Sequence, residues 1–231
     1  MIETVLITNF KLLESVRLFL GKFNCLVGMN GAGKSTILQA FDLLAQLMHG
    51  NVDQWLKARG WESKDLHCRT GHSHVPLRNI LLQVGLRLGD GRQLTWTAIL
   101  NRHTLRMTSE RVRLQDEQIF SASRGQFNLL GQKHEITHDY TGSLLASLKD
   151  SLLSPELKTL RDTIRNIRSL ELLSPHLLRK RSRAQDKDIG AGGEKLSGFL
   201  ATLKGEQKAQ LLAVLRQFYP QLRDFRVANV R

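Results

Sequence analysis

Gly28-Met29-Asn30-Gly31-Ala32-Gly33-Lys34-Ser35-Thr36 fits G-x-x-x-x-G-K-[ST], the pattern of a phosphate-binding loop. The pattern carries weight only between a strand and a helix, and both flanks suit. Phe23-Asn24-Cys25-Leu26-Val27 is a short, mostly apolar run that predicts a buried strand. Downstream, Ile37, Phe41, Leu44 and Met48 fall on one helical face, with Leu38 and Ala45 beside them. Gly50 then stands where a helix end accepts positive φ.

The roles of the loop residues follow from that geometry. Gly28, Gly31 and Gly33, with Asn30 and Ala32 between them, let the backbone curl tightly and approach phosphate without Cβ clashes. Their N–H groups and those of the helix start point at an anion, which the helix dipole favours. Lys34 is expected to reach the β- and γ-phosphates of a nucleotide, Ser35 to ligate Mg²⁺, and Thr36 to donate a further hydrogen bond to phosphate.

The chain has 231 residues, room for one large domain or a domain with an inserted lobe. Hydrophobic content of 41% and charged content of 24% suit a soluble globular protein. No apolar run approaches the roughly 20 residues of a membrane span. The N-terminus lacks a basic leader followed by an apolar core, so no signal peptide is expected. Two cysteines, Cys25 and Cys68, one of them in the predicted buried strand, argue against a disulfide framework and for a reducing cytoplasm. The 34 Lys and Arg exceed the 21 Asp and Glu, a net charge of +13. That excess points to a polyanionic partner, nucleic acid first, with an acidic partner subunit or a missing acidic segment of the same protein as the alternatives.

Along the chain, residues 2–8 and 16–20 read as strands joined by a turn, and residues 51–76 as a polar, irregular stretch. From 79 to 100 the residues alternate. Ile80, Leu82, Val84, Leu86 and Leu88 form one face, Asp90-Gly91 turns, and Leu94, Trp96, Ala98 and Leu100 return. Further strands are expected near 103–114, 117–122 and 125–137. From about 142 the texture is helical: Gly142–Asp150, then Pro155–Arg168 behind the N-cap Ser154. Residues 170–173 suit a short strand, 179–192 an exposed loop, 205–218 a last helix and 222–230 a closing strand.

Leu6-Ile7-Thr8-Asn9-Phe10-Lys11, Leu18, and the run Phe23 to Leu38 with Val27-Gly28-x-Asn30-Gly31-Ala32-Gly33-Lys34-Ser35-Thr36 resemble the opening of the RecF/SMC-type ATPases. These are ABC-class heads, including the AAA-labelled predicted-ATPase branch related to overcoming-lysogenization-defect nucleases. The resemblance is strong over about the first 48 residues, with weaker echoes at 190–203 and 218–227. It implies an α/β fold: a P-loop NTPase head lobe with an inserted antiparallel β block and a helical segment. Residues 1–50 would be the first part of the ATPase core, 51–140 the inserted loop and sheet, and 141–231 a helical segment leading to a second half of the head.

It further implies ATP and Mg²⁺ held between two heads of a homodimer, with nucleotide controlling dimerisation and DNA-related work in repair or phage defence. An effector or nuclease partner and no membrane belong to that picture. Gln126 is the family-type glutamine expected near the metal, in competition with Gln83, Gln93 and Gln132. Arg179, Lys180, Arg181 and Arg183 are the expected nucleic-acid contacts, or else a solvated loop.

The pattern departs from the family at two places. Leu211-Leu212-Ala213-Val214-Leu215 is apolar but runs into Arg216-Gln217 without the carboxylate of a Walker B strand. Gly192-Gly193-Glu194-Lys195-Leu196-Ser197-Gly198 holds the letters of a signature motif in the wrong order. The chain therefore reads as the N-terminal part of a longer ATPase, or alternatively as a regulatory module that binds nucleotide without hydrolysing it. His67, Cys68, His72 and His74 match no common zinc spacing and read as a polar loop. Trp55, Trp61 and Trp96 read as packing residues.

Overall fold

The computed structural model of the protein describes residues 1–68, 78–170, 175–182, 188–190 and 192–227. They fall into two compact units, Met1–Ile167 and Arg168–Arg231.

The first unit is built on one antiparallel sheet in the order β2-β1-β3-β4-β5-β6-β7-β8. Strands β1 (Ile2–Phe10) and β2 (Leu13–Phe19) form an N-terminal hairpin. The remaining six are β3 (Asn79–Arg87), β4 (Gln93–Asn101), β5 (Arg106–Leu114), β6 (Glu117–Ser123), β7 (Gln126–Leu129) and β8 (Gln132–Glu135). The expected strand over 125–137 is thus two strands, because Leu130-Gly131 turns with both residues at positive φ. The β block is continuous with the N-terminal hairpin. β3 pairs with β1, Val5 opposite Val84 and Ile7 opposite Leu82, so the N-terminal hairpin extends the same sheet.

Alternation decides which face is covered. Ile80, Leu82, Val84 and Leu86, with Leu94, Trp96, Ala98 and Leu100, are all buried. Over them lie helix α1 (Lys34–His49) and helix α4 (Pro155–Arg165), which pack on each other. Gly50 ends α1 at φ 71°, and Ser154 caps α4 by accepting from the Leu157 N–H, with Pro155 at the first position. The predicted helix 142–150 is a single turn, α3 (Leu144–Ser147), followed by a 3₁₀ turn. Helix α2 (Val52–Ala58) falls in the stretch expected to be irregular. Its Val52, Trp55 and Leu56 supply a helical stripe short enough to miss among polar neighbours.

One buried carboxylate ties helix to sheet. Glu110 on β5 accepts from Trp96 Nε1 at 2.8 Å, from the Leu144 N–H at 2.9 Å and from the Ser143 hydroxyl. Burial pushes its carboxyl above the ordinary value, against the pull of those donors.

The second unit carries α5 (Pro175–Leu178), α6 (Leu196–Thr202) and α7 (Gly205–Phe218). The last helix matches its predicted range, and none of its residues is buried. Residues 222–227 form no strand, and 228–231 lie outside the described residues. So do 171–174, which take in most of the short strand expected over 170–173. Among the described residues, no helix is long and apolar enough to cross a membrane.

Candidate phosphate-binding site

The loop 28–33 runs directly into α1, as the motif requires. Gly31 and Gly33 hold φ of 83° and 88°, conformations that a side chain resists. Gly33 is the N-cap and offers no side-chain cap, and no acidic residue sits in the first turn. The first helical bond is Ile37 N–H to Gly33 C=O, which leaves the N–H groups before it without a helical acceptor. A concentrated positive end of the helix dipole therefore faces the loop.

Lys34 folds back over the loop. Its Nζ donates to the carbonyls of Gly28 at 2.8 Å and Met29 at 2.7 Å. The ammonium is thus already positioned across the mouth of the loop, where a phosphate would compete for it. Gly33 also packs against the β1–β2 turn: a Cβ there would lie 3.6 Å from Leu13 and 3.9 Å from Leu12. The hairpin and the phosphate loop are therefore one packed piece.

The strand expected before the loop is different. Residues 23–27 are extended in sequence pattern but pair with no strand among the described residues, and Phe23 and Val27 are 87% and 90% exposed. Cys25, expected to be buried, is exposed. A strand is buried only by neighbours, and the antiparallel sheet ends at β2. The run is apolar as a buried strand would be, but the layer that would cover it is not supplied by the described residues. Phe19, Phe23, Ile37, Leu38 and Phe41 instead line a groove of about 920 Å³ that Lys34 and Ser35 also face.

The other predicted site residues stand apart. Gln126 pairs with Ser123 and Glu135 on β7, at the opposite edge of the sheet from β2 and the loop. Gln39, which sequence reasoning passed over, is the glutamine beside the loop, one helical turn past Ser35, and it accepts from Lys11 Nζ at 3.1 Å. Arg179, Lys180 and Arg181 are exposed just after α5, and Arg183 lies outside the described residues. Cys68 is buried, whereas His72 and His74 lie outside the described residues; no metal-holding cluster exists among those described.

A family profile described as AAA ATPase domain matches residues 1–140. The chain belongs to the AAA ATPase domain family. The match takes in the phosphate loop and all eight strands. Over 44 residues this AAA ATPase domain is 48% identical to an OLD nuclease of Thermus scotoductus, a stretch that is 19% of this chain and 8% of that protein. The chain thus spans a small part of the length of that relative. A solved structure from work on ATP-driven dimerization and DNA-stimulated activation of SMC ATPases superposes with a TM-score of 0.37 at 19% identity, over 51% of this chain and 70% of that one.

Proposed function

We propose that this AAA ATPase domain binds Mg-ATP at residues 28–36 as the N-terminal part of an SMC- and OLD-like ATPase head. The observation that carries the reading is the uncapped, glycine-started α1 with Lys34 closing the loop over its own carbonyls. Backbone N–H groups from Gly31 to Ser35 cradle the phosphates, Lys34 exchanges its carbonyl partners for the β- and γ-phosphates, and Ser35 ligates Mg²⁺. The apolar groove at 19–41 is where a second half of the head completes the sheet layer over residues 23–27. Two such heads then close on ATP, and nucleotide controls their pairing and their work on DNA, in repair or phage defence, in the cytoplasm.

A basic row on the uncovered face of the sheet supports the DNA component. Cross-strand register aligns Arg17, Leu6, Gln83, Thr97, Arg111, Ser121, Asn128 and Lys133, with Arg113 two residues along β5 from Arg111. Arg17, Arg111, Arg113 and Lys133 are exposed, a spread of cations suited to a phosphate backbone. The absence of a carboxylate after Leu211–Leu215 favours the second reading, a nucleotide-dependent regulatory module, if no such carboxylate is supplied elsewhere.

Calorimetry with Mg-ATP tests the site. Wild type binds, and Lys34→Ala binds more than about tenfold weaker, because a charge-assisted phosphate contact is lost. Equal affinities would remove residues 28–36 from the nucleotide site.

A further inference from the structure

A cavity of about 400 Å³ opens at the far end of α1 from the phosphate loop. Its walls are His49-Gly50 at the end of α1, Arg106 at the start of β5, the loop residues Asp139-Tyr140-Thr141, and Ala146-Ser147 of α3. Arg106 is the permanent cation of these walls, and the protein commits little of it. One guanidinium nitrogen donates to Asp139 Oδ1 at 3.0 Å, in a pair whose side chains are 54% and 89% exposed. The other side-chain N–H groups of Arg106 have no partner among the described residues. An ion pair so exposed is weakly held. We propose that the cavity binds the oxyanion group of a small molecule, a phosphate or a carboxylate, with Arg106 as its anchor and Asp139 as the partner it displaces.

The loop that carries Asp139, Tyr140 and Thr141 is pinned on both sides. Before it, the Ile136 N–H donates to the Gly125 carbonyl at 2.8 Å, and His138 bonds to Ser147 at 3.0 Å. At its end, Thr141 Oγ1 donates to the Gly50 carbonyl at 2.7 Å, and the Ser143 N–H to the Leu47 carbonyl at 2.9 Å. Between these anchors, the N–H groups of Asp139, Tyr140 and Thr141 have no acceptor among the described residues. Successive loop amides beside a half-committed guanidinium are the donors an oxyanion takes. The Tyr140 hydroxyl also has no partner among the described residues. Burial, with Glu110 behind it, pushes that phenol above its ordinary value against the pull of Arg106, so it keeps its proton and can donate.

The negative end of α1 does not oppose an anion here, because its carbonyls are already donated to. Gln46 O accepts from the Gly50 N–H, Leu47 O from the Ser143 N–H, Met48 O from Arg165 Nε at 2.9 Å and Gly50 O from Thr141. The dipole resides on carbonyls without partners, so these bonds quench it. The histidines are spent within the protein. Ser147 Oγ gives its one hydrogen to the Leu144 carbonyl at 2.9 Å, so its bond to His138 takes the hydrogen on His138 Nε2. His49 Nε2 donates in the same way to the Arg165 carbonyl at 3.1 Å. Arg106, Tyr140 and the loop amides are what remain for an incoming oxyanion, and Asp139 is its competitor.

The phosphate loop would compete for the same probes, so the test uses the full chain carrying Lys34→Ala. Inorganic phosphate and succinate are titrated separately while backbone amide signals are followed by NMR. At least one of them should shift the signals of residues 139–141 along a saturating curve. Saturation by phosphate alone assigns a phosphate group, by succinate alone a carboxylate, and by both a site that reads the charge they share. Arg106→Gln should weaken that binding by about tenfold or more, whereas Arg106→Lys should keep part of it. Asp139→Asn should tighten it by about two- to fivefold, because the competing carboxylate is gone. A pair that served only to hold the loop would give no such opposite signs. Shifts that fail to saturate with either probe, Arg106→Gln binding as well as its parent, or Asp139→Asn binding no tighter would each overturn the site.

Discussion

Replacing Gly142 by alanine should destabilise the first unit more than any other single added methyl at a turn. Gly142 lies where the chain leaves the sheet and crosses the C-terminal end of α1. It has φ 74°, and an added Cβ would stand 2.5 Å from the Leu47 carbonyl oxygen and 3.1 Å from the Leu47 carbonyl carbon. Neither atom is the end of a flexible side chain. Both belong to helical backbone that also accepts the Ser143 N–H at 2.9 Å. Two costs therefore add. The left-handed conformation costs a side chain about 1–2 kcal/mol. Forcing backbone apart in a packed region costs about 1–3 kcal/mol more.

The sum is about 3 kcal/mol, which for a unit of this size lowers the melting temperature by roughly 6–12 °C. Gly131→Ala is the internal control. It has φ 87° and nothing within 4 Å of its added Cβ, so only the conformational cost applies. Thermal and urea unfolding of the two variants gives the comparison. If Gly142→Ala and Gly131→Ala were equally stable within about 0.5 kcal/mol, the contact of the 142 turn with α1 would not be real.

Other outcomes are expected as well. The purified 231-residue chain should turn over ATP at well under about 1 per second by phosphate release, because Leu211–Leu215 runs into Arg216-Gln217 without a Walker B carboxylate to orient the attacking water; faster turnover would mean that another acid fills that role. Duplex binding followed by anisotropy should weaken steeply with salt, and Arg111→Glu with Arg113→Glu should reduce it more than the same changes at Arg179 and Arg181; insensitivity to the sheet pair would remove the uncovered face as the contact. For Glu110 the folded protein keeps a proton that the unfolded chain releases, so stability should fall as pH rises from 4.5 through the raised folded value and be level above it. Glu110→Gln should flatten that slope in melting curves taken up to about pH 7.5, and parallel curves for the two proteins would contradict the burial effect. Of the two thiols, Cys25 should react rapidly with an aromatic disulfide and Cys68 slowly; a Cys68→Ser variant, whose one remaining thiol is Cys25, that reacts only slowly would place residue 25 in a buried strand after all.

Elements whose signals are local were legible in the sequence. The alternation of 80–88 and 94–100 marks a face because each strand of the meander has its neighbour close in the chain. Ser154-Pro155 and Gly50 mark helix ends because capping uses nearby backbone. What failed depends on distant partners. Residues 23–27 have strand-like residues, but burial requires a neighbouring strand that local pattern cannot supply. Gln126 is the glutamine that the family resemblance points to, and the sheet order places it near the far edge. Lys11, Gln39 and Trp61 carry no motif that joins them; 50 residues separate the first from the last, and it takes the packing of α2 on α1, with the Lys11 N–H bonded to the Leu66 carbonyl, to bring them to one cavity.

The strand order also carries a statement about time. Strands β3 to β8 pair with their sequence neighbours, so each hairpin closes a short loop and the six can zip in succession. β1 pairs with β3 across an intervening stretch that holds the phosphate loop and both of the first helices. That closure has the largest entropic cost in the sheet and gains contacts only after the meander offers an edge. The N-terminal hairpin is therefore expected to join late, and with it the Leu12–Leu13 wall against Gly33. If residues 28–36 hold a nucleotide as proposed, the wall beside them is in place only once the sheet has closed across that long stretch.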